Sequence, residues 1–137
     1  MKAIILAAGI ASRLRPLTND RPKCLLKIGN RSLLERTIDA LLENNIREIV
    51  IVTGYLHEML ESFVQTRYPS LSIKFIRNEL YASTNNIYSL WLALPEVQQE
   101  KEIILLDSDI LFDPLVIKIL RDAPHANCLA LDSHKLG

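Results

Sequence analysis

The sequence is 137 residues long, 49% hydrophobic and 23% charged, which fits one folded globular domain and excludes a disordered or fibrous chain. Its 16 basic residues balance 16 acidic ones, so no net field marks it as a binder of nucleic acid or anionic membrane, and any attraction for charged partners has to be local. No segment approaches the roughly 20 apolar residues of a membrane span.

Cys24 and Cys128 lie far apart, with no second thiol or histidine at ligand spacing. They read as reduced thiols of a cytoplasmic protein, neither a disulfide framework nor a zinc site. The apolar run after Lys2, with Gly9, Ala11 and Ser12 behind it, has the outline of a short signal peptide. It sits at the low end of the roughly 7–15 residues such a region needs, and Arg13 and Arg15 follow at once, so it is read as part of the fold.

In chain order, residues 2–7 form a continuous apolar run ending in Ala-Gly, the pattern of a strand buried on both faces. Ser32 to Asn44 reads as a helix. Ser32 and Glu35 make a capping box, and Leu33, Leu34, Ile38, Leu41 and Leu42 form one stripe. Glu48 to Thr53 is a second buried strand closed by Gly54, and His57 to about Tyr68 is helical up to the stop at Pro69. Ser72 to Arg77 alternates like a third strand, with a polar stretch from Asn78 to Asn85 after it. Asn86 to about Leu94 is helical, and Glu102 to Leu106 is another buried strand, ended by Asp107-Ser108-Asp109. Asp113 caps a helix over 114–122 with Pro114 in its first position. Asn127 to Leu131 reads as a fifth strand that reaches Asp132.

Strands alternating with helices at this spacing imply an α/β fold with a mostly parallel sheet covered on both faces. No repeat, low-complexity tract or linker interrupts it. In such sheets ligands bind beyond the carboxyl ends of the strands. The residues with chemical character do follow strands: the loop Ala8 to Arg13 after the first, Gly54-Tyr55 after the second, Asn78 to Asn86 after the third, and Asp107 with Asp109 after the fourth.

The strongest local signal is the segment from Leu6 to Thr18, including Ala8, Gly9, Ile10, Ala11, Ser12 and Arg13, with Pro22-Lys23 shortly after. Small residues after a strand let backbone N–H groups approach a phosphate chain. Between positions 13 and 27, Arg13, Arg15, Arg21, Lys23 and Lys27 stand against Asp20 alone, a concentrated anion site in a neutral protein. A Rossmann dinucleotide site would want glycines where Ala11 and Leu14 stand, no Pro16, and an acid ending the second strand. A Walker P-loop would want Gly-Lys-Ser/Thr after Gly9. Neither pattern is present.

The segment Leu6 to Thr18 with Pro22-Lys23 resembles the signature of the sugar-nucleotide pyrophosphorylase-like nucleotidyltransferases. The resemblance runs on through residues 31–35, Ile51 to Tyr55 and Leu106 to Asp109, nearly the whole chain. Within that family, the run Asn78 to Trp91 is most similar to the phosphocholine cytidylyltransferase-like branch.

The resemblance implies a Rossmann-like, nucleotide-diphospho-sugar transferase-like fold, of which residues 1–137 would be the nucleotide-binding, amino-terminal portion of a single domain. The acceptor pocket and a second metal-binding aspartate are expected beyond residue 137, and the piece alone is expected to be inactive. The implied reaction moves a nucleoside monophosphate from a triphosphate, CTP favoured, to a phosphorylated small molecule, phosphocholine-like favoured, with release of pyrophosphate. The alternatives are a UTP- or dTTP-dependent sugar-1-phosphate enzyme and a catalytically silent nucleotide sensor.

By the same resemblance, Arg13 grips the β/γ-phosphates and Lys23 sits between the two reacting phosphates. Asp109, with Asp107 in support, holds Mg²⁺. Leu6, Ala8 to Arg13, Gly54 and Thr84, Asn85 and Asn86 line the nucleotide. Homo-oligomer formation is left open, and neither nucleic acid nor membrane is expected as a partner. Ala11 stands in place of the family's more usual glycine and implies a position that does not need positive φ. Tyr81, Tyr88 and Trp91 read as core, with a cation–π site for a quaternary ammonium as the alternative. His57, His125 and His134 fall outside every motif and read as surface or helix-end residues.

Overall fold

The structure, a computed structural model, describes residues 1–133. The elements are β1 (Lys2–Ala7), β2 (Lys27–Ile28), β3 (Arg31–Ser32), α1 (Leu33–Glu43), β4 (Glu48–Thr53), α2 (His57–Arg67), β5 (Ser72–Arg77), α3 (Asn86–Ala93), β6 (Ile103–Asp107) and α4 (Leu115–Asp122). The main sheet has the order β5-β4-β1-β6 with every pair parallel. This is the expected α/β architecture. β2 and β3 form a separate short antiparallel hairpin that the sequence pattern did not reveal, because two residues per strand are too few to show a period.

The alternation of β1 assigns the two layers. Ala3, Ile5 and Ala7 face a cluster built with α1, α2 and α4, while Ile4, Leu6 and Ala8 face Ala93, Val97 and Leu90 of the α3 region. Helix α1 starts where the capping box places it. The Ser32 hydroxyl accepts the Glu35 N–H at 3.1 Å, and the Glu35 carboxylate accepts the Ser32 N–H at 2.8 Å. Leu34, Ile38 and Leu41 are fully buried along its inner stripe. At the start of α4, the Asp113 carboxylate accepts the N–H of Leu115 at 2.9 Å, and Pro114 already has helical backbone angles.

Glu35 also accepts from the Arg67 guanidinium at 3.2 Å. Burial pushes its carboxyl up, but the Ser32 N–H and Arg67 outweigh this and hold it below the ordinary range. Glu61 is likewise held low, chiefly by Arg77, with burial opposing and the Thr53 hydroxyl assisting. A depressed carboxyl contributes stability that is complete above its unfolded pKa of about 4.3 and is lost as pH falls through the folded value. Unfolding free energy is therefore expected to be level near neutrality and to fall below about pH 4.3. Glu35→Gln keeps the capping acceptor and loses the charge; it is expected to cost about 1–2 kcal/mol at pH 7 and to shrink the acid limb of a urea-denaturation pH series.

Two sequence expectations are corrected. The fifth strand over Asn127 to Leu131 does not form: these residues join no sheet ladder, and Leu129 and Leu131 are 79% and 80% exposed. A strand needs a neighbouring ladder, and apolar composition alone does not supply one. β6, expected to be buried, is an edge strand among the described residues. Ile103 and Leu105 are 43% and 46% exposed because α3 packs over β1 and β4 and leaves that part of the second face uncovered.

Candidate active site

β4 lies on one side of β1 and β6 on the other, so the order of connection reverses between β1 and β6. At such a switch point the loops leaving the two strands diverge and open a crevice above their carboxyl ends. Here those loops are residues 8–22 and residues 108–110. Leu6 and Ala8 are buried at the crevice floor, whereas Gly9 is exposed, with no atom near enough to crowd a side chain there.

The expectation for Ala11 is overturned. Its backbone lies at φ 52°, ψ 47°, in the left-handed region. The conformation is held from outside: the Ala11 carbonyl accepts the N–H of Leu14 at 3.0 Å and the hydroxyl of fully buried Thr18 at 3.0 Å. The Tyr55 hydroxyl in turn donates to the Thr18 carbonyl at 2.7 Å. Side-chain identity did not report the angle because tertiary bonds impose it. Ala11→Gly removes the steric cost of this conformation and is expected to raise stability by about 1 kcal/mol in denaturant melts.

Ser12, Arg13 and Leu14 form a 3₁₀ turn after Ala11. Arg13 is exposed there and, among the described residues, makes no ion pair or side-chain hydrogen bond. Arg21 pairs with Asp20 at 3.3 Å.

Lys23 opens a second 3₁₀ turn, and its ammonium reaches across the crevice to the Asp109 carboxylate at 2.6 Å. The two residues are 86 positions apart in sequence. Beneath them, the Cys24 thiol is 2% exposed and interacts with the side chain of buried Ser108. The Lys23 turn and the β6 turn are thus joined through their buried neighbours. Burial pushes the Cys24 thiol up to about 12, so Cys24 acts as a small apolar anchor without nucleophilic character at neutral pH.

Asp107, on the last position of β6, accepts from the Asn86 amide at 3.1 Å. Asn85 caps α3, its side-chain oxygen taking the N–H groups of Ile87 and Tyr88. That oxygen is therefore engaged, and the Asn85 amide nitrogen is the group it offers outward. One N–H of the Asn86 amide is engaged by Asp107, which leaves its oxygen as acceptor and its second N–H as donor. The Thr84 hydroxyl donates to the Leu80 carbonyl at 2.7 Å. Gly54, directly after β4, is packed so closely that a methyl there would lie 2.7 Å from the Ala8 carbonyl oxygen and 2.8 Å from Cβ of Tyr81.

Tyr81 packs against the second core cluster, as expected, and its ring centroid is 6.2 Å from that of Tyr55. Trp91 departs from the core expectation: it is 61% exposed and stacks on Tyr88 at 5.6 Å. The inner side of α3 is Ser89, Leu90 and Ala93, and Trp91 falls off that stripe. His57 begins α2 and His125 is exposed; His134 lies outside the described residues. Cys24 and Cys128 are both free. The roles of Tyr55, Cys24, Ser108 and Asn78 were missed in the sequence. Their only local signal was polarity at a strand end or loop.

A nucleotidyl transferase family model matches residues 2–130. The chain belongs to the nucleotidyl transferase family. It is 41% identical over 97 residues to a choline-phosphate cytidylyltransferase of Streptococcus pneumoniae, covering 71% of this chain and 41% of that protein. It is 32% identical over 137 aligned residues to a CTP:phosphoglutamine cytidylyltransferase of Campylobacter jejuni, covering 96% of this chain and 53% of that protein. Among solved structures, the CTP:phosphocholine cytidylyltransferase of S. pneumoniae superposes with a TM-score of 0.73 at 38% identity, over 83% of this chain and 47% of that one. The inositol-1-phosphate CTP transferase of T. maritima gives 0.75 at 27% identity, over 85% and 46%. This nucleotidyl transferase chain thus spans about half the length of these relatives or less. Among the described residues, no helix of this family member is long and apolar enough to cross a membrane.

Proposed function

We propose that the protein is a cytidylyltransferase that moves CMP from CTP to a phosphorylated small molecule, phosphocholine-like by preference, with release of pyrophosphate. The observation that carries this reading is the meeting of Lys23 with Asp109 at the sheet's switch point, beside a loop that holds Arg13 open to solvent. A cation and a carboxylate at that place can serve the two needs of the reaction, screening two phosphates from each other and holding a metal on one of them.

In this reading an oxygen of the acceptor phosphate attacks the α-phosphorus, the α–β bridging P–O bond breaks, and its electron pair leaves on pyrophosphate. The acceptor phosphate is already ionised at neutral pH, so no general base is needed. Arg13 binds the β/γ-phosphates with its planar fork and balances charge on the departing pyrophosphate. Lys23 neutralises the approaching anions, and the enzyme's contribution is positioning and charge complementarity.

Leu6, Ala8 to Ser12 and Gly54 line the nucleotide. Asn85, offering a donor, and Asn86, offering an acceptor, present the pair of groups that a cytosine edge can satisfy.

Asp109, supported by Asp107, would hold Mg²⁺. Both carboxylates stand at the carboxyl end of β6, and a magnesium site uses one or two carboxylates and completes its shell with substrate phosphates and water. When bound, the ion supplies Lewis-acid neutralisation at the α-phosphate. The free thiols of Cys24 and Cys128 support a reducing, cytoplasmic location.

The test is pyrophosphate release by the full-length protein from CTP or UTP, offered phosphocholine or a hexose 1-phosphate. Release with CTP and phosphocholine is expected. Nucleotide binding with no release in any pairing would make the protein a sensor, and preference for UTP with a hexose 1-phosphate would overturn the choice of substrates.

A further inference from the structure

Asn78 is 1% exposed, directly after β5, and too deep to touch a ligand. Every polar group it carries toward the loop is used. Its amide nitrogen donates to the Thr84 hydroxyl at 3.0 Å and to the Ser89 hydroxyl on α3 at 3.0 Å. Its side-chain oxygen accepts the N–H of Leu80 at 2.9 Å. Its backbone N–H donates to the Thr53 carbonyl at 2.7 Å, tying the loop to the end of β4 beside Gly54. The Thr84 hydroxyl passes its own hydrogen to the Leu80 carbonyl, which closes a ring of bonds from Asn78 through Thr84 and residue 80 and back.

We infer that Asn78 is a positioning residue that sets base selection by clamping the loop of residues 80–86 between β4 and α3. The inference rests on the cytidylyltransferase reading. Thr84, Asn85 and Asn86 are the outward end of the clamped segment. Asn85 is held by the first turn of α3 and Asn86 by Asp107, so the place where their donor and acceptor appear depends on the loop and on α3 being fixed relative to the sheet. Among the described residues, Asn78 alone bonds to the loop, to α3 through Ser89, and to the strand beneath.

The chemistry requires asparagine. Two donors and an acceptor on so short a stem are available from no other side chain. An aspartate there presents only acceptors. Ser89 can rotate to donate to it, whereas Thr84 has already given its hydrogen to Leu80, so a lone pair would face a lone pair and the loop would move at Thr84.

The experiment compares the ratio of kcat/KM for CTP over UTP, and the same ratio of binding constants by calorimetry, in the full-length protein and its Asn78→Asp variant. The ratio is expected to fall at least tenfold, mainly through a higher KM for CTP. Thr84→Val in a double-mutant cycle is expected to add little once Asn78 is changed. Leu41→Ala, in the core on the other face of the sheet, is expected to lower the melting temperature and leave both ratios within twofold. A destabilised Asn78→Asp protein with unchanged ratios would overturn the inference. Should that variant not fold, Ser89→Ala removes one arm of the clamp and is expected to lower the ratios about threefold; no change there would overturn it equally. Failure of the wild-type protein to release pyrophosphate would sink the enzyme reading alone, because the binding ratios still score the role of Asn78.

Discussion

Lys23→Met in the full-length protein is expected to lower kcat/KM for pyrophosphate release by about 10²–10³-fold, the usual loss when one group aimed at developing transition-state charge is removed. The same variant is expected to bind Mn²⁺ more tightly in the absence of nucleotide. In the free protein the Lys23 ammonium occupies the Asp109 carboxylate at 2.6 Å, and a metal ion has to displace it. The two side chains are 34% and 39% exposed, so solvent screens the pair to about 0.2–1 kcal/mol, and the gain in metal affinity is up to about fivefold. Asp109→Asn should lose metal binding and turnover together. Manganese titration followed by electron paramagnetic resonance reads both variants, and equal metal affinity in wild type and Lys23→Met would show that the ion pair does not compete with the metal.

The second large effect belongs to a residue without a functional group. Gly54→Ala places a methyl 2.7 Å from the Ala8 carbonyl oxygen, 2.8 Å from Tyr81 Cβ and 3.0 Å from Ala8 Cβ. Two of these atoms belong to the start of the phosphate-side loop and the third to the base-side loop. None is the movable end of a long side chain. Relief therefore has to come from the backbone, at a cost of about 2–3 kcal/mol. Because the displaced segments are those proposed to hold the nucleotide, CTP affinity should fall by more than tenfold in calorimetry while the urea midpoint drops. A variant that melts early but binds CTP normally would separate the packing of Gly54 from the site.

Much of the site's neighbourhood was legible because its residues sit at ends of strands whose apolar runs are unmistakable. Lys2 to Ala7, Glu48 to Thr53 and Ser72 to Arg77 are bounded in the structure where the sequence pattern bounds them. The capping box at Ser32 and Glu35 located α1 to within a residue, since capping is a local bargain between groups three positions apart. The spacing of Arg13 and Lys23 in a neutral chain singled out the cationic loop. What failed to show was whatever depends on a distant neighbour. The exposure of Ile103 and Leu105 follows from where α3 lies, and the left-handed angle of Ala11 follows from Thr18 and Tyr55. Trp91 reads as core by composition, and only the register of α3 turns it outward.

The sequence by itself determined the parallel α/β fold, the order of its elements and the strand ends that carry Arg13, Gly54, Asn86 and Asp109, because periodicity and caps act over a few residues. Tertiary structure alone decided that Lys23 closes on Asp109, that Asp107 takes one N–H of Asn86, and that Asn78 ties its loop to Thr53 and Ser89. Those outcomes depend on which strand lies beside which, and on hydrogen bonds between groups 11 to 86 residues apart, and no local pattern encodes either.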